Sequence, residues 1–236
     1  MDKEKIASDF WREGYAVLHD FFDTELMDAC TDAILDHYGV DPQSKHSDAF
    51  VRASQTEVVS WYPLEEKVSP FVQLDRHSGL GELTSSILGE GWRDMCCMVM
   101  FSKSGSAGQA WHQDCLPETA EHFNLNRLVY THDIDPENGG EPVVVPGSHR
   151  KGTLPPGDPQ GDLDGRQVFQ PRKGTLLLLH GHTFHRVLPV KGTQWRASTN
   201  LRVVSRGAPT DVTDVAVYRN MVYRFSTHEV VEERGE

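Results

Sequence analysis

The sequence predicts a mainly β fold, a sandwich or jelly roll, with a helical N-terminal part packed against it. Short apolar runs recur from residue 92 onward, Gly- and Pro-rich turns separate them, and no helical period intervenes. A chain of 236 residues is also long enough to bury one sizeable core, and β-layered folds often reach that length as one domain.

The elements follow in order. Ile6 and Phe10 lie one helical turn apart, and Gly14 stops that helix before a short strand at residues 15–18. Asp23 is placed to cap a second helix, in which Leu26, Ala29, Cys30, Ala33 and Ile34 form one apolar stripe; Gly39 ends it. Residues 40–57 are polar and read as a loop, while weaker helical patterns cover 70–76 and 81–88. Residues 92–101 form an apolar run rich in Met and Cys that suits a buried strand, and 102–108 are a flexible Gly/Ser loop. Further strands are expected at 111–115, 126–133, 141–145, 168–170, 174–180 and 196–205. Turns such as Pro136-Glu-Asn-Gly-Gly140 and Pro155-Pro-Gly157 divide them. No repeat, low-complexity tract or linker interrupts the chain. The expected organisation is one domain over 1–236: a mainly helical part at 1–91, a β-core at 92–205 and a C-terminal extension at 206–236.

Charge narrows the function. With 35 acidic and 23 basic residues the net charge is −12, so phosphate backbones and anionic lipid surfaces are disfavoured partners. No apolar run approaches the roughly 20 residues of a membrane span. The N-terminus leads into charged helical sequence and not into a signal-peptide apolar region. Cys96 and Cys97 are adjacent, which does not suit disulfide geometry, and no CxxC spacing exists among the four cysteines. Reduced thiols in a cytoplasmic protein are therefore expected.

Twelve histidines make any single one uninformative. Two stand two residues before an Asp, at His46-Ser-Asp48 and His112-Gln-Asp114, and chance alone supplies roughly one such tripeptide. His46 lies in the polar loop. His112 lies next to an expected strand, where residues i and i+2 share a face, so His112 and Asp114 would project an imidazole and a carboxylate together. A second imidazole is available after the apolar run at 175–179, from His180, His182 or His185; periodicity does not choose among them. Two His and one carboxylate make the facial triad of non-haem Fe(II) oxygenases, which leaves metal positions open for co-substrate and O2. Near the last of these histidines Arg196 begins a strand, and a guanidinium there suits a buried dicarboxylate through paired hydrogen bonds; Arg202, on the same face, is the fallback. Asn124, Asn126 and Arg127 either reach toward the open metal positions or belong to a polar strand face.

The ordered set of motifs resembles the phytanoyl-CoA dioxygenase family of Fe(II)/2-oxoglutarate-dependent oxygenases, from about residue 8 to about residue 204. The segment Phe10-Trp-Arg-Glu-Gly-Tyr-Ala-Val-Leu18 is similar to the family's opening, and Trp111-His-Gln-Asp114 to its first metal motif. Asn138-Gly-Gly140 with Val145-Pro-Gly-Ser-His-Arg150 is similar to its central signature, and residues 174–185 to the strand that delivers the distal ligand. The resemblance implies a double-stranded β-helix, iron held by His112, Asp114 and His185, 2-oxoglutarate gripped by Arg196, and Gln113 near the co-substrate. It implies a dioxygenase that consumes O2, decarboxylates 2-oxoglutarate to succinate and hydroxylates an unactivated C–H bond of a small-molecule substrate. Asp114 argues against halogenation, which needs a small residue in its place. Many members carry a hydroxyl two residues after the distal histidine, where this chain has Val187. A catalytically silent metal- or ligand-binding jelly roll, or a metal-dependent enzyme that does not use 2-oxoglutarate, are the competing readings. Ser148 and His149 are expected to serve the turn that closes a strand.

Overall fold

Two antiparallel sheets of six strands face each other in the computed structural model, which describes residues 1–39, 48–118 and 120–224. Helix α1 (Lys3–Glu13) leads into β1 (Tyr15–Leu18), followed by α2 (Thr24–Tyr38), α3 (Asp48–Ser54), β2 (Val59–Trp61), α4 (Ser69–Asp75) and α5 (Ser78–Leu88). The strands β3 (Arg93–Ser102), β4 (Gln109–Gln113), β5 (Asn124–Tyr130), β6 (Pro142–Val144) and β7 (Gln167–Val168) come next. The chain continues through β8 (Thr175–His180), β9 (His185–Val187), β10 (Arg196–Val204), β11 (Val215–Tyr218) and β12 (Val222–Arg224). The first sheet runs β1-β8-β5-β10-β3-β2 and the second β12-β11-β4-β9-β6-β7. From β3 to β6, and again from β8 to β11, successive strands alternate between the sheets. That winding is the double-stranded β-helix.

Local signals set the helix ends, Asp23 and Gly14 as expected and Asp2 in addition. Asp2 and Asp23 accept hydrogen bonds from the backbone N–H of Lys5 and Leu26, capping α1 and α2. Gly14 closes α1 with a left-handed φ of 81°, in a place where a Cβ would sit 2.4 Å from the His149 ring. The buried stripe of α2 is Met27, Cys30, Ile34 and Tyr38, and Ala29, expected on it, is exposed. The stripe follows the side that meets α4 and the first sheet, where larger side chains fill the space.

The apolar strands are explained by burial on both faces. In β8, Leu176 and Leu178 face the helices, while Leu177 and Leu179 face the opposite sheet. Each such leucine contributes about 1.5–3 kcal/mol on full burial, so the run carries no alternation for the sequence to display. β5 splits likewise: Leu125 and Val129 pack under the helices, and Leu128 and Tyr130 point inward.

Several parts of the chain differ from expectation, among them β2 and β9, three-residue strands that the sequence pattern does not signal. The stretch 40–57, read as a loop, contains α3, held by Phe50, whose buried ring packs on Tyr218 and Tyr223. His46 lies outside the described residues. Within 206–236, read as an extension, β11 and β12 lengthen the second sheet and β11 pairs with β4. Short strands of four and three residues, joined by a tight turn, carry too little periodicity to be read from sequence. No helix among the described residues is long and apolar enough to cross a membrane.

Candidate active site

The inner face of the first sheet and the facing strands β4 and β9 enclose a cavity of about 410 Å³, within the usual small-molecule range. β4 and β9 place His112 and His185 directly opposite each other, as cross-strand partners. Asp114 follows two residues after His112 and projects to the same side. The nitrogen and oxygen atoms these three residues offer lie within 4.8 Å of one another, and among the described residues no other such cluster occurs. The register between β4 and β9 shifts between Gln109 and His112, so both residues line the cavity although they are three positions apart.

Both imidazoles are held in one orientation. His112 Nδ1 lies 2.7 Å from the Ala110 carbonyl oxygen, and His185 Nδ1 lies 2.9 Å from that of Thr183. A carbonyl only accepts, so each Nδ1 carries a proton and each Nε2 is the nitrogen turned toward Asp114. Those Nε2 atoms lie 3.8 and 3.4 Å from the two oxygens of Asp114. Burial, aided by the neighbouring His185, pushes His112 down to about 3, so its ring is neutral at ordinary pH. Burial alone would raise Asp114, but the Arg202 guanidinium and the two histidines outweigh it and hold the carboxyl at about 2. Two imidazoles and an ionised carboxylate are the ligand set that a divalent first-row metal takes.

The second row of contacts came from residues the sequence left ambiguous. Asn126 donates to Asp114 Oδ2 at 2.7 Å, and Arg202 donates to Oδ1 at 3.1 Å. Asn126 is itself fixed, because its Oδ1 accepts from Asn124, Asn200 and Arg202. Arg202, the fallback anchor for a dicarboxylate, is thus the ion-pair partner of the candidate metal ligand. Arg127 points the other way, toward the helices, where it pairs with Asp94 and donates to the Leu201 carbonyl.

Arg196 lines the same cavity and is 2% exposed. It donates to the Gly140 carbonyl at 3.1 Å and to Ser198 Oγ at 2.9 Å, and among the described residues no carboxylate pairs with it. Burial pulls its pKa below the ordinary arginine value, yet the group stays a cation. The Asn138-Gly-Gly140 turn explains its own composition here: a Cβ at Gly140 would lie 2.7 Å from Arg196 Cγ, on a backbone with φ of +84°. A buried cation with no carboxylate partner, in the cavity that holds the candidate metal cluster, suits an anionic ligand.

Other expectations resolve differently. His180 lies on the helix side, stacked on Phe123 at 3.8 Å, and its Nδ1 accepts from the His182 backbone. Neither His180 nor His182 lines the cavity, so of the three histidines only His185 joins the cluster. Gln113 is a correction. Its amide donates to the Gly152 and His182 carbonyls and accepts from Leu154 N–H, all away from the cavity, because it points opposite to His112 and Asp114. Ser148 accepts from Phe184 N–H at 2.8 Å, fixing the turn just before His185. Val187 lines the cavity, so the wall there is apolar. Sequence reasoning missed Tyr218, stacked on His112 at 5.4 Å, and the wall formed by Thr56, Val58 and Tyr62. Only the register of β11 against β4 reveals the first, and β2 is too short to signal the others.

The phytanoyl-CoA dioxygenase family model matches residues 10–198. Among solved structures, the non-haem α-ketoglutarate-dependent epimerase SnoN from nogalamycin biosynthesis is 19% identical, with a TM-score of 0.68 over 92% of this chain and 85% of that one. HygX from Streptomyces hygroscopicus, solved with nickel and 2-oxoglutarate, is 14% identical, with a TM-score of 0.69 over 86% of this chain and 87% of its own. AviO1 from Streptomyces viridochromogenes Tue57 is 17% identical, with a TM-score of 0.64 over 88% of this chain and 97% of its own. No curated protein matches the chain significantly. At these identities the structural likenesses establish the fold alone.

Proposed function

The chain belongs to the phytanoyl-CoA dioxygenase family, and from that premise we propose that it is an Fe(II)- and 2-oxoglutarate-dependent dioxygenase hydroxylating an unactivated C–H bond of a small molecule. The observation that carries the reading is one cavity holding both the His112–Asp114–His185 cluster and the buried Arg196, which no carboxylate among the described residues pairs with. SnoN and HygX, which share the fold, were solved with iron or nickel and the same keto acid, which supports the assignment.

Iron would be held by Nε2 of His112 and of His185 and by the Asp114 carboxylate, with Arg196 taking the distal carboxylate of 2-oxoglutarate. When bound, iron and 2-oxoglutarate supply the oxidising chemistry: O2 is consumed, succinate and CO2 form, and one oxygen atom goes to the substrate. The protein residues orient and exclude. Ala110 and Thr183 fix the imidazole tautomers, Arg202 and Asn126 keep Asp114 ionised and aimed, and the apolar wall of Leu128, Leu177 and Val187 limits water at the co-substrate end. Met98, Met100 and Val58 offer a deformable apolar wall for the substrate. The four free cysteines fit a reducing compartment, in keeping with action in the cytoplasm.

The test is turnover without the primary substrate. Fe(II)-loaded protein supplied with 2-oxoglutarate and O2 should form succinate slowly, and Asp114→Ala should form none. Succinate at the level of a protein-free control would leave the silent ligand-binding reading standing.

A further inference from the structure

We propose that Tyr130 is a positioning residue for the co-substrate, donating its phenolic proton to the distal carboxylate that Arg196 grips. The inference rests on the reading of 2-oxoglutarate as co-substrate and adds the residue that completes its anchor. Tyr130 ends β5, beside β10, and its ring lies under the Arg196 guanidinium, 5.8 Å from carbon to ring centre. The residue is 0% exposed and lines the same cavity as the metal cluster; the Arg196 guanidinium lies against its hydroxyl oxygen, and no acceptor among the described residues takes the phenolic proton. A buried phenol normally finds an acceptor, so this one points to a ligand that brings its own.

Its neighbours narrow the ligand. Arginine only donates and cannot take the phenolic proton. Ser198 Oγ already accepts from Arg196, Thr175, the cross-strand partner of Tyr130, makes no hydrogen bond to the phenol, and Leu128 and Leu177 packed beside it are apolar. Burial pushes the hydroxyl up to about 12, so Tyr130 presents a proton at any working pH. Donors from a guanidinium and a phenol thus converge where no carboxylate of the described residues stands. A carboxylate, with two acceptor oxygens and a negative charge, satisfies both at once.

Calorimetry on anaerobic Fe(II)-loaded protein tests this, with 2-oxoglutarate and with 2-oxopentanoate, which has the same chain length but no distal carboxylate. Tyr130→Phe should weaken 2-oxoglutarate by about 10- to 100-fold, the loss of one hydrogen bond to a charged group, and leave 2-oxopentanoate unchanged. The ligand-free melting temperature should stay the same or rise, because an unmatched buried hydroxyl has been removed. Equal 2-oxoglutarate affinity, equal loss for both acids, or a lowered ligand-free melting temperature would each overturn the proposal, the last by showing that the hydroxyl serves the fold. A wild-type protein that binds no 2-oxoglutarate at all would overturn the functional reading and this inference with it.

Discussion

Asp114 shows how much chemistry one side chain carries here. Its oxygens face two imidazoles and are hydrogen-bonded by Asn126 and Arg202. Asp114→Ala should therefore abolish Fe(II) binding and 2-oxoglutarate turnover, measurable by metal analysis after gel filtration. Arg202→Met should weaken Fe(II) by about 10- to 100-fold, the usual effect of removing a partner that orients a ligand. His185→Gln should lose the metal whereas His182→Gln should keep it, since only His185 reaches the cluster. Arg196→Ala should weaken 2-oxoglutarate roughly 30-fold or more, from a loss of about 2–5 kcal/mol, with Fe(II) affinity nearly unchanged. The His112–Asp114 pair was legible because strand alternation fixes i and i+2 on one face. The choice of His185 was not legible from periodicity; it depends on the turn at 181–184, and only the family resemblance pointed to it. Asn126 and Arg202 stayed ambiguous because their meaning lies in a contact between strands far apart in sequence.

Among the elements, β10 does most to build the cavity. Arg196, Ser198, Asn200 and Arg202 line it on one face, while Ala197, Leu201 and Val203 pack under the helices. Beside it, β3 presents Cys96, Met98 and Met100, and the bulge opposite Arg202 and Val203 brings Met95 to the same wall. The extents of β3, β8 and β10 could be read from apolar runs and turns. Bulges could not, because one extra residue leaves no compositional trace. The turn before β6 gives an element-scale expectation. Gly140→Ala would place a methyl 2.7 Å from Arg196 Cγ on a backbone that disfavours side chains. It should destabilise the fold by about 1–3 kcal/mol and weaken 2-oxoglutarate binding with Fe(II) affinity retained; denaturant unfolding and calorimetry check the two halves.

At the scale of the whole molecule, buried histidines set the acid limit. Burial holds His182 and His132 at about 4 and His180 well below its ordinary value of 6.5. The unfolded chain takes up protons near pH 6.5 that these rings refuse when folded. Stability should therefore be flat above pH 6.5 and fall as pH drops from 6.5 toward 4, by up to about 3 kcal/mol each for His182 and His132. Urea unfolding at a series of pH values measures the slope, and a rise in stability over that window would contradict the burial argument. The central claim, that three side chains of β4, β9 and the turn after β4 hold iron for a keto acid anchored on β10, has a more direct test. Anaerobic addition of 2-oxoglutarate to Fe(II)-loaded protein should raise a visible charge-transfer band that saturates at about one equivalent per chain and is absent in Asp114→Ala. No band in the wild type, or the same band in Asp114→Ala, would contradict the account.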